Sequence, residues 1–235
     1  MRPLCVIPAR IGSKRLARKN VALLGGRPML AYTVDAALGS GLFESVVVST
    51  EDPGIARLAA TLGAVPHSRP AVLAGDLVSA TDVCLEVLDT RAAAGDAYDA
   101  VICLQPSSPL RGAADVRGAW ERFVATGADF LVSVTPIDPH YFHWAVESDG
   151  EWSRMFFGDR FMLERPLLPP VQRPNGAIKI GRAVPLAERR DFFGPRLTTF
   201  ALPEERSVHV AEAFDLWLAE RLLEARAADP AERAA

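Results

Sequence analysis

Cysteine is scarce: Cys5, Cys84 and Cys103 are the only three in 235 residues. None forms a Cys-x-x-Cys pair or a Cys/His ligand spacing, which argues against a zinc module and a disulfide scaffold. Cys5 and Cys103 sit inside apolar runs, so three reduced, mostly buried thiols in a cytoplasmic protein are expected. Long apolar runs are missing as well, and none approaches the ~20 residues a membrane span needs. The opening Met1-Arg2-Pro3-Leu4 runs directly into a strand pattern, so no signal peptide is expected. There is no basic excess: 26 Lys and Arg stand against 29 Asp and Glu, a net charge of −3. A general nucleic-acid binder would more often be strongly basic. Neither nucleic acid nor membrane is therefore expected as a partner, and any anion site must be local. The phosphate-loop patterns Gly-x-x-x-x-Gly-Lys-Ser/Thr and Gly-x-Gly-x-x-Gly are also absent.

What is present is an ordinary globular composition, 49% hydrophobic and 23% charged. The length suits one large α/β domain, or one with a small appendage. Short apolar runs alternate with helical patterns. Leu4–Ile7, Ser45–Thr50, Ala100–Leu104 and Phe130–Val134 read as buried strands. A helix opens at Arg27-Pro28 and closes at Gly39 and Gly41; others span Pro53–Gly63, Thr81–Ala94 (with Thr81 as cap) and Asp115–Ala125. This alternation predicts an α/β fold, a mostly parallel sheet with helices on both faces, whose ligand edge lies at the carboxyl ends of the strands. The pattern breaks over 136–174, rich in Pro, Arg and aromatics. Phe142, Trp144, Trp152, Phe156, Phe157 and Phe161 are too many large apolar groups for a solvated loop. This segment reads as an inserted arm that packs on another subunit. Ala177–Ile180 and Thr198–Leu202 resume as strands, and Ala211–Ala225 as a last helix. The expected organisation is a core over 1–135 and 175–228, an arm over 136–174 and a frayed tail over 229–235.

The loop Pro8–Asn20 carries five cations between Arg10 and Lys19, and no acidic residue occurs before Asp35. It exceeds the roughly 2–6 residues usual between strand and helix, which favours function. Gly12 lets backbone amides approach a ligand, and Ser13 with nearby N–H groups can donate to phosphate oxygens. Arg offers two-pronged donation and Lys a compact charge, a set that suits a triphosphate. A solvated basic loop is the plain alternative.

The run IPARIGSKRLARKN resembles the signature of the sugar cytidylyltransferases that activate sialic acid and related nonulosonates. LGGRPMLAYTVDAALGSGLF, VVVSTEDPGIARLAATLGA, LQPSSPLR and QRPNGAIKI are similar to further stretches of that family, in order and spacing. The resemblance implies a Rossmann-like nucleotidyltransferase core with a dimerisation arm. It implies transfer of CMP from CTP to an acidic sugar, release of pyrophosphate, and Mg²⁺. Carried over position by position, Arg10, Ser13, Lys14, Lys19 and Asn20 would hold CTP. Arg10 and Lys14 would meet the phosphates, and Lys19 the departing pyrophosphate. Arg69 would line the nucleotide pocket, Ser79 would lie near the cytosine, Gln105 would contact the sugar, and Arg173 would face its carboxylate or glycerol side. Plainer roles stand beside these. Ser79 or Thr81 could only cap a helix, Arg111 could pair structurally, Asn175-Gly176 could be only a turn, Cys103 is core, and His140 and His143 are exposed polar residues of the arm.

One departure matters. The family places an Asp-x-Asp pair before its last helix to hold Mg²⁺, and here those positions are His209 and Ala211. Alanine cannot bind a cation and histidine is a poor ligand for hard Mg²⁺, which leaves Glu212 and Asp215 as candidates. Two other readings stay open: a cytidylyltransferase for another acidic acceptor, a phosphonate or phosphosugar, and a CTP-binding pseudoenzyme.

Overall fold

Strands buried on both faces explain why the apolar runs show no alternation. In the computed structural model, which describes residues 1–228, β1 (Pro3–Pro8), β4 (Val46–Thr50) and β6 (Ala100–Leu104) expose almost nothing. Each buried Leu, Val or Ile there contributes about 1.5–3 kcal/mol by leaving water. A small hairpin of β2 (Leu23–Leu24) and β3 (Arg27–Pro28) leads into α1 (Met29–Ser40). The chain continues through α2 (Pro53–Thr61), β5 (Val65–Ser68), α3 (Ala80–Ala93), α4 (Ala113–Thr126) and β7 (Phe130–Ile137). The arm follows, with α5 (Pro139–His143) and a hairpin of β8 (Val146–Asp149) and β9 (Trp152–Met155). Then come β10 (Val171–Arg182), α6 (Ala183–Arg189), β11 (Leu197–Ala201) and α7 (Ala213–Ala228). The stretch 229–235, read above as a frayed tail, lies outside the described residues.

Seven strands form the main sheet in the order β11-β7-β10-β6-β1-β4-β5, with β10 antiparallel to β6 and β7 and the other pairings parallel. Side chains alternate across it. Cys5, Ile7, Val46, Val48 and Ile102 pack with Val34 of α1, Ile55 of α2 and Phe123 of α4. Leu4, Val6, Val47 and Cys103 face the other way, onto Leu85 and Leu88 of α3 and Leu186 of α6. Helices thus cover both faces, as the sequence predicts. Gly41, at φ 68°, ends α1 in the left-handed conformation that glycine tolerates.

The structure differs from the sequence reading in four places. β5 is an edge strand, largely exposed and interrupted by Pro66, so it carries no apolar signal. The cap of α3 is Ser79 rather than Thr81: Ser79 Oγ accepts from the Asp82 N–H at 3.1 Å while Asp82 accepts from the Ser79 N–H. β10 starts six residues before Ala177, inside the segment read as the arm, and pairs Arg173 with Thr135. Its first half is exposed and its register shifts between Pro174 and Lys179, which hides its continuity from an apolar search. Lastly, His143 is buried, only 1% exposed, because Phe142 and Phe157 close over it edge-on. Several other aromatics of the arm are open: Trp152 is 79% exposed and Phe156 59%.

Candidate functional site

Parallel strands β1, β4, β5 and β6 all end on one edge of the sheet, and the segments that follow β1, β5 and β6 build a cleft of about 190 Å³. From β1 come Arg10, Lys19 and Asn20; Arg69 follows β5, Ser79 caps α3, and Gln105 follows β6. Asn20 is buried and its side-chain amide donates to the Arg10 carbonyl at 2.8 Å, tying the far end of the basic loop to its start. Arg18 adopts a left-handed turn (φ 51°) just before Lys19. Lys19 is half-buried; burial first, then the charges of Arg15 and Arg10, push its pKa below the usual lysine value. Arg69 is 5% exposed and held by Ser49, donating to its carbonyl at 2.6 Å and its hydroxyl at 3.2 Å. Burial also depresses its pKa, with Glu51 opposing.

Ser13, Lys14 and Gly12 lie on the outer part of the loop and do not line this cleft. A Cβ on Gly12 would meet open space, so its need for glycine is not imposed by the protein itself. Arg10 and Lys14 converge on one carboxylate: Asp76 sits 2.7 Å from Arg10 Nη1 and 2.7 Å from Lys14 Nζ. Those two cations hold the Asp76 pKa below the usual carboxylate range.

A second, larger cleft of about 560 Å³ contains Arg173, His209, Ala211 and Asp215. The two clefts meet at a short bridge. Ser107, which lines the first, places its Oγ 3.4 Å from Nδ1 of His209 and 3.4 Å from Oε1 of Gln105. Asn175, for which a turn was only the plainer alternative, is a buried hub within β10: Ser133 Oγ donates to its Oδ1, and its Nδ2 donates to Ser207 Oγ at 2.9 Å. Arg111 is structural, 2% exposed beneath the loop, where Nη1 donates to the carbonyls of Gln105, Ser108 and Ala177.

Residues 4–140 match the sequence profile of the cytidylyltransferase family. The chain belongs to that family. It is 35% identical over 229 residues to CMP-N,N'-diacetyllegionaminic acid synthase of Legionella pneumophila, covering 95% of this chain and 97% of the relative. It is 30% identical over 223 residues to pseudaminic acid cytidylyltransferase of Campylobacter jejuni, covering 94% and 96%. Among solved structures, CMP:2-keto-3-deoxy-manno-octonic acid synthetase complexed with CTP shares the fold, with TM-score 0.71, 18% identity and coverage of 96% and 99%.

The second cleft holds the positions where the sequence resemblance led one to expect acids. His209 and Ala211 occupy the positions of the expected acidic pair, and both line the cleft. Asp215 lines it too, but its Oδ2 already accepts from the N–H groups of Ala211 and Glu212 at 2.8 and 3.0 Å, capping α7. Glu212 is exposed and lines neither cleft. Among the described residues no group of three or more His, Cys, Asp or Glu side chains is placed to hold a metal. The expected acidic pair is thus replaced, and Asp215, Asp138 and Glu204 are the carboxylates that line this cleft without forming a cluster. Asp76, Ser107 and Ser108 contact candidate site residues and were not singled out in the sequence. The two serines stand in the LQPSSPLR run and were visible there; a lone acid after Gly75 carried no signal.

Proposed function

We propose that the protein transfers CMP from CTP to a hydroxyl of an acidic sugar, a nonulosonate of the sialic acid kind, releasing pyrophosphate. The observation that carries this is the junction: an Arg- and Lys-lined cleft is linked, through the contact of Ser107 with His209, to a larger one holding Arg173. Near full-length similarity to two enzymes named for such sugars supports it. Arg10, Lys14, Ser13 and the amides around Gly12 receive the phosphates. Asn20, Arg69 and Ser79 shape the nucleotide pocket, Lys19 stabilises the leaving pyrophosphate, and Gln105 and Arg173 orient the sugar acid. Mg²⁺ would be held chiefly by the triphosphate, where it would offset the phosphate charge, because the expected carboxylate pair is His209 and Ala211 here. The exposed aromatics of the arm are covered by a second copy, so sedimentation should report a dimer. Three free, buried thiols agree with a cytoplasmic setting, and no helix among the described residues is long and apolar enough to cross a membrane.

The test is incubation with CTP, Mg²⁺ and a panel of keto-acid sugars, phosphonates and phosphosugars, reading pyrophosphate and the CMP adduct by mass spectrometry. Release with a sugar acid supports the reading; an adduct only with a phosphonate or phosphosugar moves the acceptor class. CTP binding without turnover on any acceptor would favour the pseudoenzyme, which the missing acidic pair keeps in play. One further result is expected at the loop. Asp76 holds the two cations assigned to the phosphates, so Asp76→Asn should tighten CTP binding by up to about fivefold, the range of an exposed ion pair. Titration calorimetry checks this, and weaker binding would show that Asp76 instead orients the cations.

A further inference from the structure

His209 stands where the two clefts meet, and none of the roles above uses it. Its ring lines the larger cleft, and its Nδ1 lies 3.4 Å from the hydroxyls of both Ser107 and Ser108. The ring is held in place from two sides. The Val210 N–H donates to the Ser107 carbonyl at 2.7 Å. Gly176, at φ +76°, approaches so closely that a Cβ there would sit 3.3 Å from Nδ1. A residue with a side chain at 176 would therefore be strained and would crowd the imidazole.

The hydrogen-bond order follows from the neighbours. Ser107 Oγ is within reach of Gln105 Oε1, which only accepts, so its hydroxyl proton has a destination there. Its lone pairs then face Nδ1, and a proton on Nδ1, shared between the Ser107 and Ser108 hydroxyls, belongs to the tautomer whose Nε2 is free to accept. Nε2 makes no hydrogen bond to any described residue. Facing the ring are Arg15 and Lys19 of the basic loop, Lys179 of β10 and Asp215 of α7. Burial first, then Lys19, with Asp215 opposing, brings the imidazole down to a pKa of about 4, so it is neutral at physiological pH.

We propose that His209 is a catalytic residue on the acceptor side, whose Nε2 accepts the proton of the attacking sugar hydroxyl. This rests on the cytidylyltransferase reading. As the hydroxyl oxygen bonds to the α-phosphorus, its proton passes to Nε2. The bond from that phosphorus to the bridging oxygen breaks, and pyrophosphate leaves with the electron pair. The imidazolium then returns its proton to water. Substrates favour this: triphosphate oxygens pair Lys19 and Arg15 and the sugar brings a carboxylate, so the proton affinity of the ring rises when the site fills. A neutral base also adds no negative charge beside two anionic substrates.

The test uses the full chain with CTP, Mg²⁺ and a sugar acid that the wild type turns over. His209→Asn and His209→Ala are compared by kcat, both KM values, CTP affinity by calorimetry and the pH dependence of kcat. The expected result is a fall in kcat of about 100-fold in both variants. CTP affinity should stay within about twofold, the acidic limb of the wild-type profile should disappear, and added imidazole should partly restore the alanine variant. Turnover of His209→Asn within about threefold of wild type overturns the proposal, as does parallel loss of CTP binding in both variants, which marks a structural role. If the wild type turns over no acid at all, the cytidylyltransferase reading itself fails and the proposal falls with it.

Discussion

Lys19→Met should lower kcat by about 10²- to 10³-fold and leave the fold at least as stable as before. Both halves of this expectation come from where the ammonium sits. The short helical turn Lys19–Val21 presents it to the nucleotide cleft, and Asn20 beside it fastens that turn to the Arg10 carbonyl. A charge held at that place needs no rearrangement when the leaving pyrophosphate gains its electron pair, and a fixed donor of this kind is worth most in the transition state. KM for CTP should therefore rise less than kcat falls. The stability half follows from the depressed pKa. Burial and the neighbouring Arg15 and Arg10 disfavour the charged lysine in the folded state. Between the folded and unfolded pKa values the unfolded chain binds more protons, so stability rises with pH across that window. Below it the folded protein bears the cost of the buried charge, which methionine removes. Urea titration at neutral pH and steady-state kinetics check the two halves. A stable variant with wild-type kcat would move the pyrophosphate role to Arg10 and Lys14.

The centre of the fold was legible because its physics is local. Runs such as Ala100–Leu104 are apolar at every position, and only a strand covered on both faces uses such a run. Helix ends were legible where one residue type solves the problem, as at Gly41. The edges were not. β5 is an exposed strand with a proline, and its place beside β4 comes from sheet geometry, not from its own residues. The antiparallel direction of β10 was equally hidden, since an apolar run says nothing about which way it points.

At the site, the basic loop stood out because five cations without an acid nearby in sequence suit a local anion, with a solvated basic loop as the alternative reading. Its partition was not readable. Arg10 and Lys19 line the cleft while Lys14 reaches outward to Asp76, a residue far along the chain that the fold brings back. The replaced acidic pair was visible in sequence as a loss. In the structure one of those positions, His209, is a neutral imidazole fixed between two clefts, a placement set by contacts with Ser107, Ser108 and Gly176.

Arg111→Ala should destabilise the protein by about 2–5 kcal/mol, the range for truncating a large buried side chain, and Arg111→Met by clearly less. The guanidinium is 2% exposed, and burial lowers its pKa to about 10, so it remains charged at neutral pH. Nη1 alone serves three carbonyls, at 3.3 Å to Gln105, 3.0 Å to Ser108 and 3.3 Å to Ala177, whereas Nε and Nη2 have no partner. Two effects therefore oppose. Removing the side chain relieves a poorly paired buried charge, but it strips the donor from three carbonyls and leaves a cavity under the loop. Alanine suffers both losses; methionine restores most of the volume and loses only the donor. The loop concerned carries Gln105, Ser107 and Ser108, the residues that join the two clefts, so the surviving fraction of either variant should show a raised KM for the sugar acid with CTP affinity nearly intact. Urea midpoints at constant slope measure the stability difference. If alanine and methionine prove equally costly, the carbonyl bonds dominate and the cavity does not. If neither costs anything, Pro106 and Pro109 hold the loop by their own backbone restriction, and the buried arginine is not what keeps the bridge between the clefts in place.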